Sequence, residues 1–271
     1  MSILVSCVIP THNRPRLAAE AVESVLNDHV EEIEVVVVDD GSEARNFEVL
    51  SRKIGEVPRV RLLRNSRPLG ASNARNVGIL EALGKFVTFV DDDDVNIPGR
   101  IKSQLDLAVE ANADFVTCTR FIYETKRGCR VRGIKADKVS IDDMWLRNII
   151  VSVTPLVRWD LMRAVMFDEG LPAANDYDAW IRCLQLCTRT VNYSGLAIRH
   201  RRKERVTITK SRNKKLQGRL AFYRKHRVIM PLQVRPYFLL VTMLKWVIPD
   251  PRFVLDSAEG VLGGRLLRRQ R

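Results

Sequence analysis

Residues 34–42 read EVVVVDDGS, and the reading of this stretch decides the fold. Residues 35–38 are four consecutive valines that end at Asp39-Asp40-Gly41. A strand with one face in water alternates apolar and polar side chains, whereas a strand covered on both faces does not need to. The run therefore predicts a central strand with helices packed on either side. The same punctuation recurs around it. Residues 4–9 form an apolar run that stops at Pro10 and gives way to Thr11-His12-Asn13, and residues 86–90 form another that runs into the four aspartates Asp91, Asp92, Asp93 and Asp94. Shorter runs at 60–63 and 115–119 read as further strands. Between them the spacing predicts helices: one from Pro15 with Asn13 as its cap, one over 71–83 stopped by Gly84, and one over 100–110. Strands alternating with helices imply an α/β fold with a mainly parallel sheet. In such sheets ligands gather beyond the carboxyl ends of the strands, where this sequence places its three polar clusters.

Charge distribution narrows the function classes. The 271 residues carry a net charge of +13, but residues 1–100 balance to −4, 101–200 to +2 and 201–271 to +15. A nucleic-acid-binding fold would spread basic side chains over its main surface, so no nucleic-acid partner is expected. The five cysteines form no C-x-x-C pair and are expected to stay reduced. The start, MSILVSCVIPTHN, lacks the basic region of a secretory leader, and the longest apolar stretch, 237–244, is too short to span a bilayer. A cytoplasmic protein is expected, with peripheral attachment to the cytoplasmic face of the membrane as an option for its basic end.

Four adjacent carboxylates at a strand end repel one another unless a cation or a positive side chain is present. Hard divalent ions such as Mg²⁺ or Mn²⁺ are typically held by one or two carboxylates together with substrate phosphates. The alternative for such a cluster is a solvated acidic turn. Asp39 offers an acceptor for a ribose or base hydroxyl or amide, or simply belongs to an Asp-rich turn before Gly41. Arg75, on the helix after Gly70, can steady a diphosphate or lie in solvent.

Taken in order, VSCVIPTHNR (5–14), VVVVDDGS (35–42), GASNARNVG (70–78), FVDDDDVNIPGR (89–100) and NDYDAWIR (175–182) resemble the family-2 glycosyltransferases of the GT-A fold, over about residues 3–205. The resemblance implies a Rossmann-like, mainly parallel sheet flanked by helices. It also implies a nucleotide-diphosphate sugar donor, a UDP-sugar foremost, a divalent Mn²⁺ or Mg²⁺, and transfer with inversion to an acceptor hydroxyl in glycan or polysaccharide synthesis. By position, Pro10, Thr11 and His12 match the nucleobase-contacting segment, with His12 where an aromatic tyrosine is commoner. Asp39 matches the base-contacting aspartate and Arg75 a basic residue near base and phosphates. Asp91 and Asp93 match the D-x-D pair, Asp93 nearer the metal and Asp91 nearer the ribose, with Asp92 between them in the nucleotide-sugar-binding stretch. Asp176 matches the catalytic base. Asn175 stands where the family commonly has Glu. Asp178 is a fallback base, and His200 is a candidate further metal ligand.

One positioned carboxylate can take the acceptor proton, a contribution of about 10²–10⁴-fold, and a single displacement needs no covalent sugar intermediate. The expected architecture is a GT-A domain over 1–205 and a basic, helical extension over 206–271. That extension combines Lys/Arg clusters, among them Lys210, Arg212, Lys214 and Lys215, with an apolar stretch from Phe238 to Val247. It suits an anionic lipid surface, packing on the body or on a second copy in a homo-oligomer, or a polyanionic acceptor. The basic run 201–205 would suit a lid over the diphosphate. The acceptor is expected to be a glycan or a lipid-linked sugar. Two rival functions are a glycosyltransferase-like binding module without catalysis, which Asn175 leaves open, and a sugar nucleotidyltransferase. The latter needs a Gly-rich phosphate loop after the first strand, and VIPTHNRP has no glycine.

Overall fold

The computed structural model describes residues 3–125, 128–151, 154–200 and 211–247. The expected domain boundary near 205, the basic run 201–205, Lys210 and the basic end at 265–271 lie outside them. The chain begins with β1 (Val5–Thr11), α1 (Pro15–Leu26), β2 (Ile33–Asp39), α2 (Ala44–Ile54), β3 (Val60–Arg64), α3 (Ala71–Glu81) and β4 (Phe86–Phe89). It continues through β5 (Asp94–Asn96), α4 (Arg100–Glu110), β6 (Phe115–Cys118), β7 (Arg120–Thr125), β8 (Gly128–Gly133), α5 (Ile141–Met144), β9 (Leu156–Arg158) and α6 (Trp159–Val165). The last elements are α7 (Asn175–Leu186), β10 (Thr190–Tyr193), β11 (Ile198–His200), α8 (Arg212–His226) and α9 (Arg235–Val247).

The main sheet runs β10-β6-β9-β4-β1-β2-β3. Its pairings are parallel except where β9 lies antiparallel between β4 and β6. The valine run behaves as its composition demands. Val35 and Val37 face one apolar cluster with Cys7, Ile9 and the buried side of α1, while Val36 and Val38 face the other with Val8, Phe89 and Trp180. Both faces are dry, so neither needs polar side chains. The second cluster also takes in Phe222 of α8 and Phe238 of α9, which joins the C-terminal helices to the same core as the sheet. The outer side of α9 leaves Leu240, Met243 and Val247 exposed. Among the described residues, no helix is long and apolar enough to cross a membrane.

Three local expectations are corrected. β1 does not stop at Pro10 but runs to Thr11, paired with β2 throughout. β4 pairs only as far as Val8, so the missing proline donor lies beyond that ladder. Asn13 does not cap α1: the residue before the helix is Arg14, which has no side-chain cap bond. Instead Asn13 adopts φ 56° and its Oδ1 accepts from the Glu43 amide at 2.9 Å and from Asn46 Nδ2 at 3.0 Å, tying the loop to α2. The third helix ends at Glu81, short of Gly84, because Ala82 is already extended.

A second, small sheet was not legible in the sequence. Its order is β5-β11-β7-β8, and it lies on the far side of the aspartate run.

Candidate active site

The ends of β1, β2 and β4 meet. Thr11 Oγ1 donates to Asp92 Oδ2 at 2.8 Å, and Arg14 reaches Asp92 Oδ1 at 2.9 Å and Asp93 Oδ2 at 3.5 Å. His12 Nδ1 donates to the Asp40 carbonyl oxygen at 2.8 Å, which links the first two strand ends. The turn after β2 depends on Gly41 at φ 66°, where an added Cβ would lie 2.4 Å from the Arg67 backbone. Asp40 uses this turn to fasten the approach to α3, accepting from Asn65 Nδ2 and from the amides of Leu69 and Gly70. Asp39 is fully buried. Its Oδ2 accepts from the Ser42 amide at 3.1 Å and lies 3.4 Å from Arg64 Nε, while its Oδ1 has no hydrogen-bond partner among the described residues. A buried acceptor without a donor costs stability, so a ligand N–H or O–H is the natural partner for it.

The aspartate run is divided between two tasks. Asp92 turns toward Thr11 and Arg14. Burial pushes its carboxyl up to about 6, opposed by the Arg14 charge and the Thr11 hydrogen bond and aided by Asp93 and Asp91. Asp91, Asp93 and Asp94 form the other group, each contributing an oxygen within 4.8 Å of the others. Arg75 donates to Asp91 Oδ1 at 2.5 Å, with its guanidinium 5.4 Å from the Phe167 ring centroid. Three oxygens converging at this spacing suit a hard divalent cation, and the residues present fit one.

His200 lies outside the trio and reaches it through Asp94. β11 runs antiparallel to β5 with His200 opposite Asp94, and His200 Nδ1 sits 2.6 Å from Asp94 Oδ1. That contact occupies Nδ1 and sets the ring beside Asp94, which stands between His200 and the rest of the trio.

Helix α7 carries the remaining carboxylates. Asp176, in its first turn, accepts from Asn148 Nδ2 at 3.2 Å and lines a cavity of about 980 Å³ that His200 also lines. Asn175 does not face this chemistry: its Nδ2 donates to the carbonyl oxygens of Asp168 and Leu171, holding the loop that leads into the helix. Asp178 is wholly buried. It pairs with Arg182 at 2.6 Å, Lys225 at 2.9 Å and His226 at 2.8 Å. Burial alone would raise its carboxyl, but the His226 hydrogen bond, the Arg182 charge and Lys225 together bring it down to about 2. A carboxylate so enclosed cannot serve as the fallback base.

The structure thus brings Pro10, Thr11, His12, Asp39, Arg75 and the four aspartates to one strand-end surface. Asp176 lies on the cavity that adjoins it through His200. Sequence reasoning missed Arg14 as the counter-charge to Asp92 and Asp93, and it gave Asp94 no role beyond the run of four aspartates. It also missed Asn148 as the partner of Asp176. Arg14 had a signal in its position beside the strand end; Asn148 had none.

Comparison with known proteins places this geometry. The Glycosyl transferase family 2 model matches residues 6–159. WcaA of Escherichia coli (strain K12), a glycosyl transferase named for colanic acid biosynthesis, is 30% identical over 239 residues, covering 83% of this chain and 81% of WcaA. The glycosyltransferase GlyG of Streptococcus pneumoniae serotype 4 is 34% identical over 185 residues, covering 63% of this chain and 62% of GlyG. The glycosyltransferase MJ1057 of Methanocaldococcus jannaschii is 26% identical, covering 67% of this chain and 64% of MJ1057, so the match leaves about a third of each of the latter two relatives uncovered. Among solved structures, S. aureus TarS 1–349 superposes with a TM-score of 0.69 at 19% identity, covering 92% of this chain and 74% of that one. A mannosyltransferase of Pyrobaculum calidifontis, solved with GDP-Man and Mn²⁺, superposes at 0.62 with 16% identity, covering 98% of this chain and 79% of that one. The family model covers more than half of the chain and the superpositions carry the fold, so the chain belongs to glycosyl transferase family 2, on the GT-A fold.

Proposed function

We propose that this protein moves a sugar, with inversion, from a nucleotide-diphosphate sugar to an acceptor hydroxyl in glycan or polysaccharide synthesis. The reaction would depend on a divalent cation, and Asp176 would act as the base. The observation that carries the reading is the continuity of the cleft: His200, paired with Asp94 of the carboxylate trio, lines the same cavity of about 980 Å³ as Asp176. The donor side of the reading is supported by TarS 1–349, solved with UDP-GlcNAc, and by the mannosyltransferase solved with GDP-Man and Mn²⁺.

In this reading His12 and the unpartnered Oδ1 of Asp39 receive the nucleobase, and Asp91, Asp93 and Asp94 hold the cation. A bound Mn²⁺ or Mg²⁺ would supply charge stabilisation to the departing diphosphate. Arg75, bound to Asp91, adds positive charge beside the trio for the phosphates. Asp176 accepts the acceptor's proton at a carboxylate oxygen as that hydroxyl attacks, and Asn148 fixes the orientation of the carboxylate. Catalysis rests on these groups being aimed before substrate arrives.

The test is a thermal-shift screen of nucleotide sugars with Mn²⁺ or Mg²⁺, followed by assay of nucleoside-diphosphate release. Stabilisation by one donor only when the metal is present, with metal-dependent release, supports the reading. Donor binding without any release, with every acceptor class tried, favours the binding-module alternative.

A further inference from the structure

Asp176 stands on the boundary between two cavities. The larger holds His200; the smaller, about 310 Å³, opens between the start of α7 and the helices α8 and α9, and Asn148 and Asp176 line both. The wall of the smaller cavity is cationic, with Arg212, Lys215 and Arg219 from α8 and Lys245 from α9. Asp176 is the one acidic residue among the described residues that line it. Arg212 and Lys215 are exposed and have no acidic partner among the described residues.

The cavity is also pre-built. Tyr177 stacks on Phe222 at 4.1 Å and Phe222 on Phe238 at 5.6 Å, which fixes α8 and α9 against α7. Arg219 Nε donates to Thr242 Oγ1 at 2.9 Å and Trp246 Nε1 to Asn213 Oδ1 at 3.2 Å, closing the two helices on each other. A binding site that keeps several cations together in one rigid hollow has been shaped for an anion. Its volume falls at the small end of ligand pockets, enough for a single charged unit rather than an extended chain.

Resting on the glycosyltransferase reading above, we infer that the smaller cavity is the acceptor subsite and that the acceptor carries a phosphoryl group. A phosphate monoester carries about −1.5 to −2 at neutral pH, more than a carboxylate, which matches a wall of four cationic side chains better than a uronic acid does. Arginine forks and lysine point charges are the groups that bind such oxygens. With the phosphoryl group on the α8–α9 wall, the acceptor's hydroxyl comes to Asp176 from the side opposite the larger cavity.

The experiment uses the full chain with Mn²⁺ and saturating UDP or GDP, so that the donor side is filled, and titrates small probes by NMR or calorimetry. Glucose 1-phosphate should bind, methyl glucoside should not, and the Lys215→Glu and Arg212→Glu variants should each weaken the phosphate probe at least tenfold. Lys215→Arg should restore binding. Farnesyl phosphate is the second phosphate arm, and whichever phosphate binds more tightly assigns the source as lipid-linked or soluble. Equal binding of glucose 1-phosphate and methyl glucoside, or binding untouched by charge reversal, overturns the inference. Glucuronate binding as tightly as glucose 1-phosphate overturns the phosphoryl assignment. Failure of UDP and GDP to bind the wild type would instead count against the donor reading, and it is read separately in the same samples.

Discussion

The aspartate run at the end of β4 and the first turn of α7 each carry carboxylates that are close in sequence, yet they are organised by different means. In the run, the backbone itself delivers Asp91, Asp93 and Asp94 to one place, and the counter-charges come from Arg14, just after β1, and from Arg75 on α3. In α7, Asp176 and Asp178 are two residues apart, about 200° around the helix axis. One therefore lines the two cavities while the other is wholly buried, enclosed by Arg182, Lys225 and His226. Three of the four strand-end aspartates share a task, while Asp92 between them turns to Thr11 and Arg14. Adjacent helix residues divide into chemistry and fastening, and the element that faces each decides which.

Removing a carboxylate from the run should give the largest effect. Asp93→Ala takes away one of three converging oxygens, and a metal's charge stabilisation is worth several kcal/mol, so sugar transfer is expected to fall by about 10⁴-fold or more. Chelation of the wild type with EDTA should reproduce the loss, and Mn²⁺ titration should restore the wild type alone. Retained transfer in Asp93→Ala would show that the trio is a structural cluster.

The two α7 aspartates should then separate cleanly. Asp176→Asn is expected to cost about 10²–10⁴-fold in kcat with donor affinity kept, and to shift stability by under about 1 kcal/mol. Asp178→Asn should do the reverse, lowering stability by about 3–5 kcal/mol because Arg182 and Lys225 lose their counter-charge and His226 its carboxylate partner. Chemical denaturation beside single-turnover rates reads both. The pH dependence follows from the Asp178 carboxyl, held at about 2 against an ordinary value of 3.8. A depressed carboxyl stabilises the native state above its ordinary value and loses that contribution as pH falls through its folded value. The stability gap between wild type and Asp178→Asn should therefore narrow as pH falls from 3.8 toward about 2. A gap that stays constant over that range would remove the ion cluster as its source.

Legibility in the sequence follows the same division. The valine run, the strand-end polar clusters and the mainly parallel sheet were readable, because burial on both faces of a strand leaves a local composition signal. β9 was not: three residues, Leu156 to Arg158, carry no periodicity, and their antiparallel direction is set by β4 and β6 on either side. The small sheet escaped for a related reason, since β8 is exposed along its whole length and β11 is three residues long. Its consequence for the site, His200 set opposite Asp94, depends on register between segments more than a hundred residues apart. Asn13 showed a cap signal that tertiary bonding to Glu43 and Asn46 redirected. Asp176 and Asp178 looked interchangeable because the side of α7 that meets α8 is decided by helices beyond residue 211.

Asn148 gives the smallest expected effect and the sharpest test of how far Asp176 is prepared for proton transfer. Its amide donates to Asp176 Oδ2 at 3.2 Å, a long bond from a half-buried side chain that also borders both cavities. A donor to a carboxylate favours the charged form, so Asn148→Ala should raise the pKa of the base and move the acidic limb of the kcat–pH profile to higher pH. At the top of the profile the loss should be only about 3–10-fold, the scale of one hydrogen bond of about 1 kcal/mol. Asn148→Asp should shift the limb further in the same direction, because a second negative charge opposes ionisation of the first. If both variants lose rate while the limb stays where it is in the wild type, Asn148 shapes the cavity wall and does not tune the base.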